Sequence, residues 1–282
     1  MAAEHVRRVL RLWRLYAAMD LMYLARGPLV AITYYLSDFV TGVGAVTATF
    51  LLAERFDGIG PWTRPQILFL LGYALLVRAL IDLFFNYNMA FISRRIGRGQ
   101  LDHVLIQPQP LWTSFLTEGF APVTGSGMLL PALGLLVWSG RELHLSVSPA
   151  WWALFVADVL ASIVIVLAFE YMWGSLAFWA PRAAEEINSD SWRLLIQLAP
   201  FPLDGLAGLA LVSLVTIVPV GLVAWYPSRA LLGLDAPAWT TEVLLIVATF
   251  AFAALAAWLF TRGLRHYGRT GSTRYLDYGH RR

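Results

Sequence analysis

Apolar residues in this chain gather into six runs, each about as long as the roughly 20 residues that a membrane-crossing helix needs. The runs cover 28–53, 65–90, 114–138, 151–179, 203–225 and 239–261, with short polar stretches between them. The pattern predicts an all-α, polytopic membrane protein with six transmembrane helices. The fifth run carries Pro219 and is the least regular. This region either spans as the fifth helix or, over 200–232, dips into the membrane and returns, which is tolerated only where protein or a cavity buries the backbone.

Ahead of the first run, Val6, Leu10, Trp13, Ala17, Leu21 and Leu24 recur at helical spacing while Arg7, Arg11 and Arg14 take another face. Residues 1–27 thus read as an amphipathic helix lying in the membrane interface. A charged stretch this long, with no small-residue cleavage site, is unlike a secretory signal. Residues 28–261 make a single transmembrane domain and 262–282 a basic tail.

Composition agrees with this reading. Of 282 residues, 59% are hydrophobic and 14% charged, against about 25% charged in an ordinary soluble domain. Cysteine is absent, which removes disulfides, thiolate metal sites and cysteine nucleophiles. All 21 basic residues are arginine. Without lysine the chain has no P-loop lysine, Schiff base or Ser-Lys dyad of its own.

Arginine placement orients the runs. Sixteen arginines fall on one side: five before the first run, Arg94, Arg95 and Arg98 after the second, Arg182 and Arg193 after the fourth, and six in the tail. Arg55, Arg64, Arg141 and Arg229 fall on the other. The positive-inside rule makes the richer side, and both termini, cytoplasmic. Trp62, Trp112, Trp138, Trp151, Trp152, Trp179, Trp225 and Trp239 lie near run ends, as interfacial anchors do.

A charge inside a span costs about 2.5–3.5 kcal/mol on insertion scales, so each needs a partner or a wet surface. Arg78 and Asp82 stand four apart on one helix face, with Asn86 one turn further on. They form either a packing ion pair or part of a polar pathway. Asp38 has no local partner and is expected to look inward. Asp158 and Glu170 are twelve apart and cannot form a general acid–base dyad along one helix. His5, His103, His144, His266 and His280 all fall in loops or tails, and no H-E-x-x-H or Gly-x-Ser-x-Gly occurs. No catalytic set, metal site or bound cofactor is expected, and no nucleic-acid partner.

The 94–112 segment is the most distinctive. Leu101, Val104, Leu105 and Ile106 predict a short amphipathic helix, Gly97 and Gly99 let the chain turn into it, and Pro108 and Pro110 stop it. Such a helix either docks in a partner groove or lies flat on the bilayer.

The pattern Gly99-x-Leu101-Asp102-x-x-Leu105-x-x-Pro108-x-Pro110 resembles the corresponding loop of ABC-2-type transporter permeases, in the branch of daunorubicin-resistance-type exporters. Two more segments are similar to that branch: Pro219 through Tyr226-Pro227-Ser228-Arg229-Ala230-Leu231-Leu232-Gly233, and Arg262-Gly263-Leu264-Arg265-His266-Tyr267. Gln107 departs from the pattern, which commonly has arginine or threonine before the first proline.

The resemblance implies the membrane subunit of an exporter in a bacterial inner membrane. The permease would pair with a second copy or with a related permease, and bind two copies of a separate ATPase that carries ATP and Mg. The 94–112 segment, with Gly99, Leu101, Asp102, Leu105, Pro108 and Pro110, would be the coupling helix. Apart from the resemblance, a path lined by aromatic and aliphatic residues would suit a hydrophobic or amphipathic substrate. The competing expectation is an ion-coupled secondary transporter working through Asp38, Arg78, Asp82, Asp158 or Glu170, although inverted repeats of the kind many such carriers show are not evident.

Overall fold

The structure, a computed structural model, describes residues 2–55, 60–85, 92–206, 208–235 and 238–271. Every regular element among them is helical. α1 (Ala2–Arg26) and α2 (Pro28–Arg55) lead to α3 (Arg64–Phe84), followed by the short α4 (Ile92–Gly97), α5 (Leu101–Leu105) and α6 (Leu111–Thr117). Next come α7 (Leu129–Glu142), α8 (Pro149–Gly174) with a 3-10 turn over Ser175–Phe178, and α9 (Pro181–Leu198). α10 (Leu209–Thr216), a π turn over Gly221–Trp225 that runs into α11 (Tyr226–Leu231), and α12 (Ala238–Thr270) complete the order.

Among the described residues, three helices are long and apolar enough to cross a membrane: Arg64–Phe84, Pro149–Phe178 and Trp239–Thr270. The bent pairs Val6–Tyr23 with Pro28–Gly44, and Leu209–Thr216 with Gly221–Leu231, would raise the number to five. Local chemistry sets where the long helices start. The Gln66 side chain accepts the Thr63 N–H at 2.9 Å ahead of α3, and Ser148 Oγ accepts the Trp151 N–H at 3.1 Å to cap α8.

The three long helices run the same way. At their first end Trp62 lies beside Asp204, the Trp151 indole donates to the Leu231 carbonyl at 3.0 Å, and Thr241 donates to Asp235 at 2.8 Å. At their second end Ile92, Ile96, Phe178 and Tyr267 share one apolar cluster. This second end holds Arg94, Arg95, Arg98, Arg182, Arg262, Arg265 and Arg269. Parallel helices need return paths, and α7 and α9 supply them. α7 lies antiparallel on α3, with Gly72 against Leu135 and Leu136. α9 leaves the arginine-rich cluster at Ala184, and its Leu195, with Ala199 and Leu203 beyond it, packs in the main core with α3 and Trp62.

Two expected spans differ from what forms. The third, 114–138, is no continuous helix, because Gly119, Pro122, Gly125 and Gly127 interrupt it between α6 and α7. Those glycines serve packing as well. A Cβ on Gly119 would overlap the Phe85 backbone, and one on Gly125 would meet the Asp82 carbonyl. Gly119→Ala is expected to destabilise the protein by about 1–3 kcal/mol, read as a lower unfolding midpoint in detergent. An unchanged midpoint would mean that the 118–128 segment can back away from α3.

The fifth, 203–225, is likewise not one helix. α10 and the 221–231 segment meet at 74°. Asp204 and Asp235, which bracket this region, both bind Arg229, so the chain returns to the end it left. α9, expected as part of a polar loop, is instead a helix, and with residues 199–204 it carries the chain from the arginine-rich end to Asp204 at the other.

Candidate functional site

The arginine-rich end is assembled around α5. α4 stops in a Schellman arrangement: Gln100 N–H bonds the Arg95 carbonyl at 2.9 Å and Gly99 N–H the Ile96 carbonyl at 3.0 Å. Gly99 sits there at φ 69°, a conformation that favours glycine. The turn delivers Leu101 into the apolar cluster, fully buried against Ile92, Ile96, Phe178 and Tyr267. Asp102 accepts a 2.5 Å hydrogen bond from the Tyr267 hydroxyl of α12. Val104 is buried, while Leu105 is 43% and Ile106 81% exposed. Pro108 and Pro110 are exposed and end the helix.

Gln107 is a hub. Its amide nitrogen donates to Glu118 Oε1 at 3.2 Å, and its Oε1 accepts from Ser114 Oγ at 3.0 Å and from Gln109 Nε2 at 2.7 Å. Arg95 holds the other oxygen of Glu118 at 2.5 Å, and Arg94 reaches Glu185 of α9 at 3.0 Å. The exposed Leu105–Ile106 edge is thus tied to α6 through Gln107, to α9 through α4, and to α12 through Asp102.

α1 docks nearby. The Trp13 indole donates to the Leu116 carbonyl at 3.1 Å and its ring stacks on Phe120, while Asp20 accepts from Val123 N–H, Thr124 N–H and Thr124 Oγ. Val6 and Leu10 stay more than half exposed, so much of the predicted apolar stripe is uncovered by the rest of the chain.

The polar groups of the long helices find partners that spacing along one helix could not reveal. Asp158, 2% exposed, lies beside Glu242 of α12. Glu170, fully buried, accepts from the Asn188 amide of α9, and Ser93 of α4 donates to Asn188 Oδ1 at 2.7 Å. Arg78 and Asp82 approach within 3.7 Å, with side chains about one-third exposed. Asn86 lies outside the described residues, as does the side chain of Asp38.

The opposite end holds a second charged cluster. Arg229 binds Asp204, and its Nε reaches Asp235 Oδ1 at 2.7 Å. The indoles of Trp62 and Trp225 both donate to Asp204, the latter at 2.7 Å. The sequence placed Arg229 among the outer-side arginines and within a motif, with no role as an ion-pair centre. Asp204, Asp235, Glu242, Glu118 and Asn188 were missed. The one cue available was Glu242 itself, an acid in an otherwise apolar run.

The amino-acid sequence was compared with known families and proteins. A family model described as ABC-2 family transporter protein matches residues 39–271. No curated protein and no solved structure matches.

Proposed function

The chain belongs to the ABC-2 transporter family, and on that premise we propose that it is the membrane-spanning permease of an ATP-driven exporter. The helices α2, α3, α7, α8, α9 and α12 are the six passes, with α1 and the arginine-rich end in the cytoplasm of a bacterial cell. The 204–235 region re-enters from the outer side. Two such permeases, identical or related, bind two copies of a separate ATPase, which holds ATP and Mg.

The observation that carries this reading is the Leu105–Ile106 edge. It presents apolar surface at the arginine-rich end while its backing residues are locked to α6, α9 and α12. A helix so mounted passes a push from a docked ATPase to α6 and to the two passes α9 and α12 together. Gly99 and Leu101 shape and seat it, Asp102 fixes it to α12, and Pro108 and Pro110 end it. The substrate is hydrophobic or amphipathic, taken from within the membrane.

The test is to express the chain in its own host and to purify through the permease. A stoichiometric ATPase is expected, with efflux of hydrophobic dyes from proteoliposomes that stops on ATP removal. Efflux that survives without ATP and follows an ion gradient would replace this reading with an ion-coupled carrier.

A further inference from the structure

α9 leaves the arginine-rich end and, with residues 199–204, carries the chain to Asp204 at the other, yet it is not apolar. Its 18 residues reach about 27 Å at 1.5 Å per residue, close to the roughly 30 Å hydrocarbon core of a bilayer. Arg182, Glu186, Asp190, Arg193 and Gln197 recur three or four apart along its exposed side. Asp190 and Arg193 pair at 2.8 Å with side chains 70% and 67% exposed. A crossing helix with that face cannot present it to lipid tails, so the face borders water or protein.

Beside this face, α9 and α3 enclose a cavity of about 300 Å³. Its walls are apolar, including Leu71, Leu75, Trp192 and Phe201, except for Arg78 from α3 and Gln197 from α9. Arg78 Nε is buried and has no hydrogen-bond acceptor among the described residues. Its ion pair with Asp82 is loose, at 3.7 Å. An apolar chamber with one under-satisfied guanidinium suits a molecule that is greasy at one end and anionic at the other.

We propose that the α3–α9 cavity binds an amphipathic molecule with an anionic headgroup, whose acid oxygen lies on Arg78, and that water reaches the site along the polar face of α9. The inference deepens the transporter reading by giving its substrate a charge. Its test needs only the permease itself, so absence of an ATPase would sink that reading and leave this site standing.

The cysteine-free sequence supplies a clean background for labelling. Gln197→Cys in liposomes should react with both anionic sulfonatoethyl and cationic trimethylammonioethyl methanethiosulfonate. The anionic reagent should be favoured. Arg78→Gln in the same background should lower the anionic-to-cationic rate ratio about five-fold or more, while Arg78→Lys keeps most of it. Asp82→Asn should raise the ratio, and it carries the test if Arg78→Gln fails to fold. Dodecyl phosphate should protect the thiol, and dodecyltrimethylammonium should not. An unreactive Gln197→Cys, a ratio indifferent to residues 78 and 82, equal protection by both amphiphiles, or a disulfide joining two copies at this position would each overturn the proposal.

Discussion

Arg229→Ala is expected to cost about 3–5 kcal/mol, the range for removing one member of a buried charged network. Arg229 pairs with two carboxylates, Asp204 and Asp235, whose side chains are 13% and 14% exposed. Its guanidinium also lies 5.2 Å over the Trp225 ring. Alanine would leave the two acids facing one another with a lost cation and a cavity between them. It would also release the 204–235 excursion from the starts of α3 and α12, because Trp62 and Thr241 bind the same acids. Arg229→Lys keeps the charge but cannot fork between both carboxylates, so partial recovery is expected. Asp235→Ala should be milder than Arg229→Ala, since Arg229 retains Asp204. The measurement is the unfolding midpoint in detergent together with the yield of monodisperse protein. A loss below about 1 kcal/mol, the range of exposed ion pairs, would show that this cluster is solvated and that the re-entrant segment is held by its apolar residues alone.

What could be read from the sequence divides along one physical line. α3, α8 and α12 were legible because each is a long unbroken apolar run, and hydropathy responds to exactly that property. α9 was not legible. Only one side of it packs, against α4, α8 and the 3-10 turn, and the other carries charges, so its average polarity resembles a loop. Arg193, counted as an inner-loop charge, belongs to this helix. The break at 118–128 did carry local signals, Gly119, Pro122, Gly125 and Gly127, which the length of the 114–138 run outweighed; that two of these glycines also make room for the backbone at the end of α3 could not be read from the sequence. Pairings such as Asp158 with Glu242 and Glu170 with Asn188 join residues that are far apart in the chain, and no helical period announces them. At the arginine-rich end the turn chemistry of Gly99 and the helix over Leu101–Leu105 were readable, since both are local. The place of each side chain was not. Leu101 is core, and Ile106 is more exposed than Leu105.

The last difference decides where the coupling surface should fail. Leu105→Asp combined with Ile106→Asp is expected to remove the ATPase from the purified complex and reduce ATP-driven efflux to the level without ATP. The permease itself should keep its unfolding midpoint within about 0.5 kcal/mol in stability, as surface substitutions do. Both side chains point away from the chain's own core, at 43% and 81% exposure, so aspartate there disturbs no internal packing. In a docked groove the same change buries two charges without partners, which is among the costliest changes an interface can suffer. Asp102→Asn forms the contrast. Its amide oxygen still accepts from Tyr267, so ATPase binding should persist, while Tyr267→Phe removes the hydroxyl that joins α5 to α12. ATPase binding with weakened efflux is the expected signature of Tyr267→Phe, because the push arrives at α5 but reaches α12 less directly. If the double aspartate variant binds and drives the ATPase normally, the coupling contact lies elsewhere on the arginine-rich end. The exposed Pro108–Pro110 edge is then the next surface to alter, since it is the part of the same segment that Gln107 clamps to α6.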